Sequence, residues 1–130
     1  MKTLRMLIVT GFLLCISCAE EFHLPEGDPD AGREAFLRMG CNSCHEVAGE
    51  DFPGPVADPP VTVVLGRQVP RRSRLQLAES VLSPSHELAK FYKFVKDGDL
   101  SRMGSYDHNM TLKEWVDIVT YLDLLPGSQE

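Results

Sequence analysis

Basic charge, cysteine and long apolar runs are all scarce in this 130-residue chain. Thirteen Lys and Arg stand against 19 Asp and Glu, a formal charge of −6, which makes nucleic acid an unsuitable partner. Only four cysteines are present, too few for a scaffold held by several disulfides. The longest apolar run, Met6 to Ile16, is eleven residues interrupted by Thr10 and Gly11. A membrane-spanning helix needs about 20. No internal repeat or low-complexity stretch is visible, and the length suits one domain.

That short run has another use. Lys2 and Arg5 precede it, and small residues follow, which is the pattern of an export signal over residues 1–17. Cys15-Ile16-Ser17-Cys18 looks like a bacterial lipobox, with Cys18 as the lipidated residue; Cys15 stands where such boxes usually carry leucine. Ordinary cleavage after Ala19, giving a soluble periplasmic protein, is the alternative. The lipoprotein reading is favoured because Cys18 has no other partner in an oxidising compartment, and Ala19 after the cysteine favours the outer membrane. Residues 18–27 then form a lipid-anchored tether and residues 28–130 the domain. Loss of Lys2 and Arg5 takes the formal charge to −8.

Asp28-Pro29 opens a helix with a capping residue and a proline in the first turn, and Gly40 closes it after Met39. Ala31, Ala35, Phe36 and Met39 form its apolar face. Residues 46–70 hold five of the nine prolines and no helical pattern, so the spacing predicts a loop that needs something other than side chains to pack against. Ser73 caps a second expected helix through Leu82, with Leu75, Ala78, Val81 and Leu82 inward. A short helical piece is expected over residues 87–95. Thr111-Leu112-Lys113-Glu114 is a capping box that opens the clearest helix, with Leu112, Trp115, Val116, Val119, Leu122 and Leu125 as its apolar stripe. The pattern is all-α, three to four helices with long loops.

The chemistry sits at Cys41-Asn42-Ser43-Cys44-His45. Two cysteines separated by two residues suit thioether bonds to the two vinyl groups of one haem, and the adjacent histidine is then carried beneath the iron. A thioredoxin-like couple lacks its βαβ context, and a zinc site lacks a second cysteine pair in the mature chain. One covalent haem c is therefore the expected cofactor, with Cys41 and Cys44 as attachment points and His45 as axial ligand. The sixth ligand must come from Met103, Met110, His86 or His108, or the position stays open. Met103 is preferred because it lies in a glycine-flanked loop, Arg102-Met103-Gly104, able to reach the opposite face. Met110 directly precedes the cap at Thr111, where it suits a hydrophobic staple with Trp115.

Over most of residues 28–125 this arrangement resembles the small monohaem class I cytochromes c. Gly32-x-x-x-Phe36 looks like that family's first helix, whose glycine allows a close crossing, and Trp115 to Leu122 looks like the last helix that makes it. Phe52-Pro53-Gly54-Pro55, Pro59-Pro60-Val61, Ser83-Pro84-Ser85-His86 and Met103-Gly104-Ser105-Tyr106 with Met110-Thr111 resemble a bacterial periplasmic subgroup. The resemblance implies the cytochrome c fold, Met103 as the iron's sixth ligand, and the Pro55 carbonyl as hydrogen-bond acceptor for His45. Gly104 departs from the family, which more often has proline after the ligand, and would loosen the loop.

Histidine–methionine ligation saturates the iron, which suits an electron carrier rather than an enzyme. The expected function is single-electron transfer between periplasmic or membrane redox proteins, with a basic docking face on the partner and the membrane reached through the anchor. The rival expectation is a haem sensor or catalytic haem subunit, whose sixth ligand yields to oxygen, nitric oxide or peroxide. The local cluster Arg67, Arg71, Arg72 and Arg74 is expected mainly as solvated surface.

Overall fold

The computed structural model describes residues 23–54, 56, 63–66, 73–86, 96–98 and 100–126. The export signal, Cys18, Pro55, Arg67, Arg71, Arg72 and the helical piece expected over 87–95 lie outside the described residues.

Helix α1 is Pro29–Arg38, capped by the Asp28 carboxylate, which accepts from the Asp30 and Ala31 N–H groups. It buries Gly32, Ala35 and Phe36. Helix α2 is Arg74–Leu82 and helix α3 is Leu112–Asp123. Both start with complete capping boxes, Ser73 with Gln76 and Thr111 with Glu114. Each box satisfies two backbone N–H groups that a helix start leaves free. Between α1 and α2 lie a 3-10 turn, Cys41–Ser43, and two three-residue strands, β1 (His45–Val47) and β2 (Val63–Leu65). These strands pair in parallel, His45 opposite Val63 and Val47 opposite Leu65. A second pair, β3 (Lys96–Asp97) and β4 (Leu100–Ser101), is antiparallel and precedes α3.

The core is the packing of α1 and α2 on α3, with Phe36, Ile118 and Val119 fully buried. Phe36 lies edge-on to Tyr121, ring centroids 5.9 Å apart, and stacks on Phe52 at 6.0 Å. Gly32 marks the crossing of α1 and α3: a Cβ there would stand 2.1 Å from the Asp117 carbonyl oxygen. Only a residue without a side chain permits that approach. Trp115 Nε1 donates to the Ala78 carbonyl at 3.0 Å, tying α3 to α2.

The apolar stripes shift from expectation at two points. Leu112 is 71% exposed and Leu75 is 45% exposed. Both lie in the first turn of their helices, where the backbone is still approaching its packing partner. Ile118 and Tyr121 fill α3's buried face instead. Residues 24–27, expected in the tether, are held on the domain. Leu24 packs on the core, Gly27 N–H donates to Thr120 Oγ1 at 2.9 Å, and Asp28 N–H donates to Asp117 Oδ1 at 2.9 Å. Buried Asp117 and Thr120 in the middle of α3 are thereby explained, since a buried polar group needs a partner. Arg74 is not solvated surface: its guanidinium donates to Pro25 O at 2.8 Å and Thr120 Oγ1 at 2.7 Å, and pairs with Glu26 at 2.9 Å. Among the described residues no helix is long and apolar enough to cross a membrane.

Candidate haem-attachment site

Gly40 turns the chain out of α1 with φ of 72°, a left-handed conformation that suits glycine. The chain then enters the 3-10 turn, closed by hydrogen bonds from Ser43 N–H to Gly40 O at 3.0 Å and Cys44 N–H to Cys41 O at 3.3 Å. Cys41 and Cys44 therefore sit at the two ends of one tight turn, both as free, half-buried thiols. Burial pushes the Cys41 thiol up to about 11, with its own backbone lowering it and the neighbouring Cys44 raising it. A thiol that stays protonated at neutral pH is a poor nucleophile for disulfide exchange, which proceeds through the thiolate.

The loop that follows folds back over this turn. Asn42 Nδ2 donates to Pro53 O at 3.3 Å, Val56 N–H to Ser43 O at 3.1 Å, and Val63 N–H to Cys44 O at 3.0 Å. His45 opens β1, and its Nδ1 lies 3.3 Å from the Val63 carbonyl oxygen. Burial lowers the imidazole's pKa, and the Val63 carbonyl partly offsets this by favouring the protonated ring. A neutral ring with Nδ1–H on a carbonyl leaves Nε2 its lone pair, the state an axial ligand requires. Pro55, expected to accept from this ring, lies outside the described residues; the described acceptor is Val63.

His45 is also anchored from behind. The chain leaves β1 through a turn at Gly49, φ 89°, and the Glu50 carboxylate then reaches α1. Arg33 Nε lies 3.0 Å from both Glu50 oxygens and Arg33 Nη2 donates to Oε2 at 2.7 Å, while Tyr121 OH donates to Oε1 at 3.3 Å. Arg33 also lies over the Phe52 ring, 4.7 Å from its centroid. This clamp ties the histidine-bearing segment to the α1–α3 crossing. Nothing periodic marks it in the sequence; a basic residue on an otherwise apolar helix face is its only trace.

The methionines divide by packing. Met39 and Met110 lie against the hydrophobic core, whereas half-buried Met103 is not among the residues packed there. Met103 N–H donates to Ser101 Oγ at 3.1 Å. Tyr106, in the same loop, has its phenol pKa raised by burial and then by charge on Cys41 and Cys44. His86 is exposed, and His108 is 91% exposed with Asp107 3.6 Å from its Nε2. Among the described residues no three His, Cys, Asp or Glu side chains converge to hold a metal ion on their own.

No family model, curated protein or solved structure matches the chain. The donor set itself fits a covalent haem: two free thiols at the ends of one turn and a neutral imidazole next to them in the chain.

Proposed function

We propose that this protein is a monohaem c-type cytochrome of the cytochrome c fold, carrying single electrons between redox proteins outside the cytoplasm. In this reading Cys41 and Cys44 would hold haem c through thioether bonds, and His45 and Met103 would ligate its iron. The observation that carries it is the Cys41–Ser43 turn, which sets the free Cys41 and Cys44 thiols at its two ends and His45 next to them with Nδ1 held 3.3 Å from the Val63 carbonyl oxygen. The close α1–α3 crossing at Gly32 supports the fold assignment, because it juxtaposes the two terminal helices as that family does.

Iron held by histidine and methionine supplies reversible one-electron chemistry at a raised potential and offers no position for substrate. The chain's residues orient the histidine. His45 is fixed by Val63 and, through Glu50, by α1. Exposed Glu46 and Asp51 beside β1 suit a partner with a basic face. Lipidation at Cys18 would hold the carrier at the periplasmic side of a bacterial membrane, the outer membrane being favoured. Leu24 to Gly27 are docked on the domain, so such a tether is shorter than the ten residues 18–27.

Carbon monoxide titration of the reduced holoprotein tests this reading. Wild type is expected to bind it poorly and Met103→Ala readily. Ready binding by wild type would favour the rival, a haem sensor or catalytic subunit with a displaceable ligand.

A further inference from the structure

Met103 lies in a loop whose next residue, Gly104, is exposed and has open space where a side chain would stand, since a Cβ there would meet no atom within 4 Å. A methionine–iron bond carried on such a loop needs restraint from elsewhere. The structure supplies it symmetrically. Two residues before Met103, Ser101 N–H donates to Ser85 Oγ at 3.1 Å, and Ser101 Oγ accepts from Met103 N–H at 3.1 Å. Two residues after Met103, Ser105 Oγ donates to Asp107 Oδ1 at 2.8 Å and shares that proton, in a longer contact of 3.4 Å, with the Leu82 carbonyl oxygen. Both pins reach the same short stretch, residues 82–85, where α2 ends. That stretch is itself firm: Ser83 N–H donates to Glu79 O at 2.8 Å and His86 N–H to Ser83 O at 3.0 Å.

We infer that Ser85, acting through Ser101, and Ser105 are positioning residues that hold the Met103 loop closed and set how readily its thioether is displaced from the iron. The inference rests on the assignment of Met103 as axial ligand. The mechanism is a local opening equilibrium: an exogenous ligand enters only when the loop swings out, so its apparent affinity scales with the open fraction. Removing one hydrogen bond from the closed state raises that fraction by roughly three- to tenfold. Neither serine touches the iron, so no change in the intrinsic ligand set is required.

The test uses the oxidised holoprotein with imidazole as the displacing ligand, followed by loss of the sulfur-to-iron absorption band. Ser85→Ala and Ser105→Ala are each expected to bind imidazole about three- to tenfold more tightly than wild type. Ser85→Thr, which keeps a hydroxyl, is expected to stay near wild type. Unchanged imidazole affinity in both alanine variants, with the wild-type band present and thermal unfolding still cooperative, would overturn the positioning role alone. Absence of the band from wild type would overturn the Met103 assignment and this inference with it. The band therefore separates the two failures.

Discussion

Gly32 and Asp117 meet backbone to backbone, with 2.1 Å between an imagined Gly32 Cβ and the Asp117 carbonyl oxygen. The atom in the way is main chain on a helix, so no rotamer change relieves the clash. Gly32→Ala should push α1 off α3 and destabilise the holoprotein by about 3 kcal/mol or more, the upper range for overpacking. Gly54→Ala, with nothing within 4 Å of its Cβ, should change stability by no more than about 0.5 kcal/mol. Urea midpoints of the two variants make the comparison.

Acid should loosen the segment behind His45 first. The Arg33 guanidinium holds the Glu50 carboxyl below the usual glutamate value of 4.5, against a raising contribution from burial. A depressed folded value means the clamp's stabilisation is complete above about 4.5 and is lost as pH falls through the folded value. Wild type should therefore lose more stability than Glu50→Gln between neutral pH and that acid range. Urea midpoints that fall in parallel for the two proteins would show that the clamp does not drive the acid loss.

Those contacts mark where sequence reasoning stops. The helices were legible because caps are local: Asp28-Pro29, Ser73, and Thr111 with Glu114 announce helix starts within three or four residues. The Cys41–His45 motif was legible for the same reason. The β1–β2 pair was not, because three-residue strands show almost no alternation and their partners lie across a proline-rich loop. Val61-Thr62-Val63-Val64 was the available signal, a β-branched run inside a segment read only as loop. Buried Asp117 and Thr120 were illegible because their partners, the N–H groups of Asp28 and Gly27, are some 90 residues away and carry no side-chain signature. Arg74 was misread for a related reason: a cluster of arginines in sequence says nothing about which one finds a carboxylate in space.

Arg74 should decide whether the N-terminal strap stays docked. Its guanidinium bridges Pro25, Glu26 and Thr120, with Asp123 at 3.9 Å as a further counter-charge. Arg74→Gln keeps most of the stem but cannot bridge all of these groups. The backbone amides of Leu24, Glu26 and Gly27 should then exchange hydrogen faster, by roughly tenfold or more, while those of α3 beyond Thr120 change little. Equal exchange in variant and wild type would mean that Gly27–Thr120 and Asp28–Asp117 hold the strap unaided.

Everything about electron transfer depends on the haem being covalent and held by both cysteines. The direct measurement is the intact mass of the denatured protein, produced in cells able to attach haem, alongside Cys41→Ala and Cys44→Ala variants. The account predicts a wild-type mass of the polypeptide plus one haem after acid–organic extraction, and a lowered yield of covalent product in either variant. A wild-type chain from which all haem extracts, leaving the bare polypeptide or a Cys41–Cys44 disulfide, would contradict it.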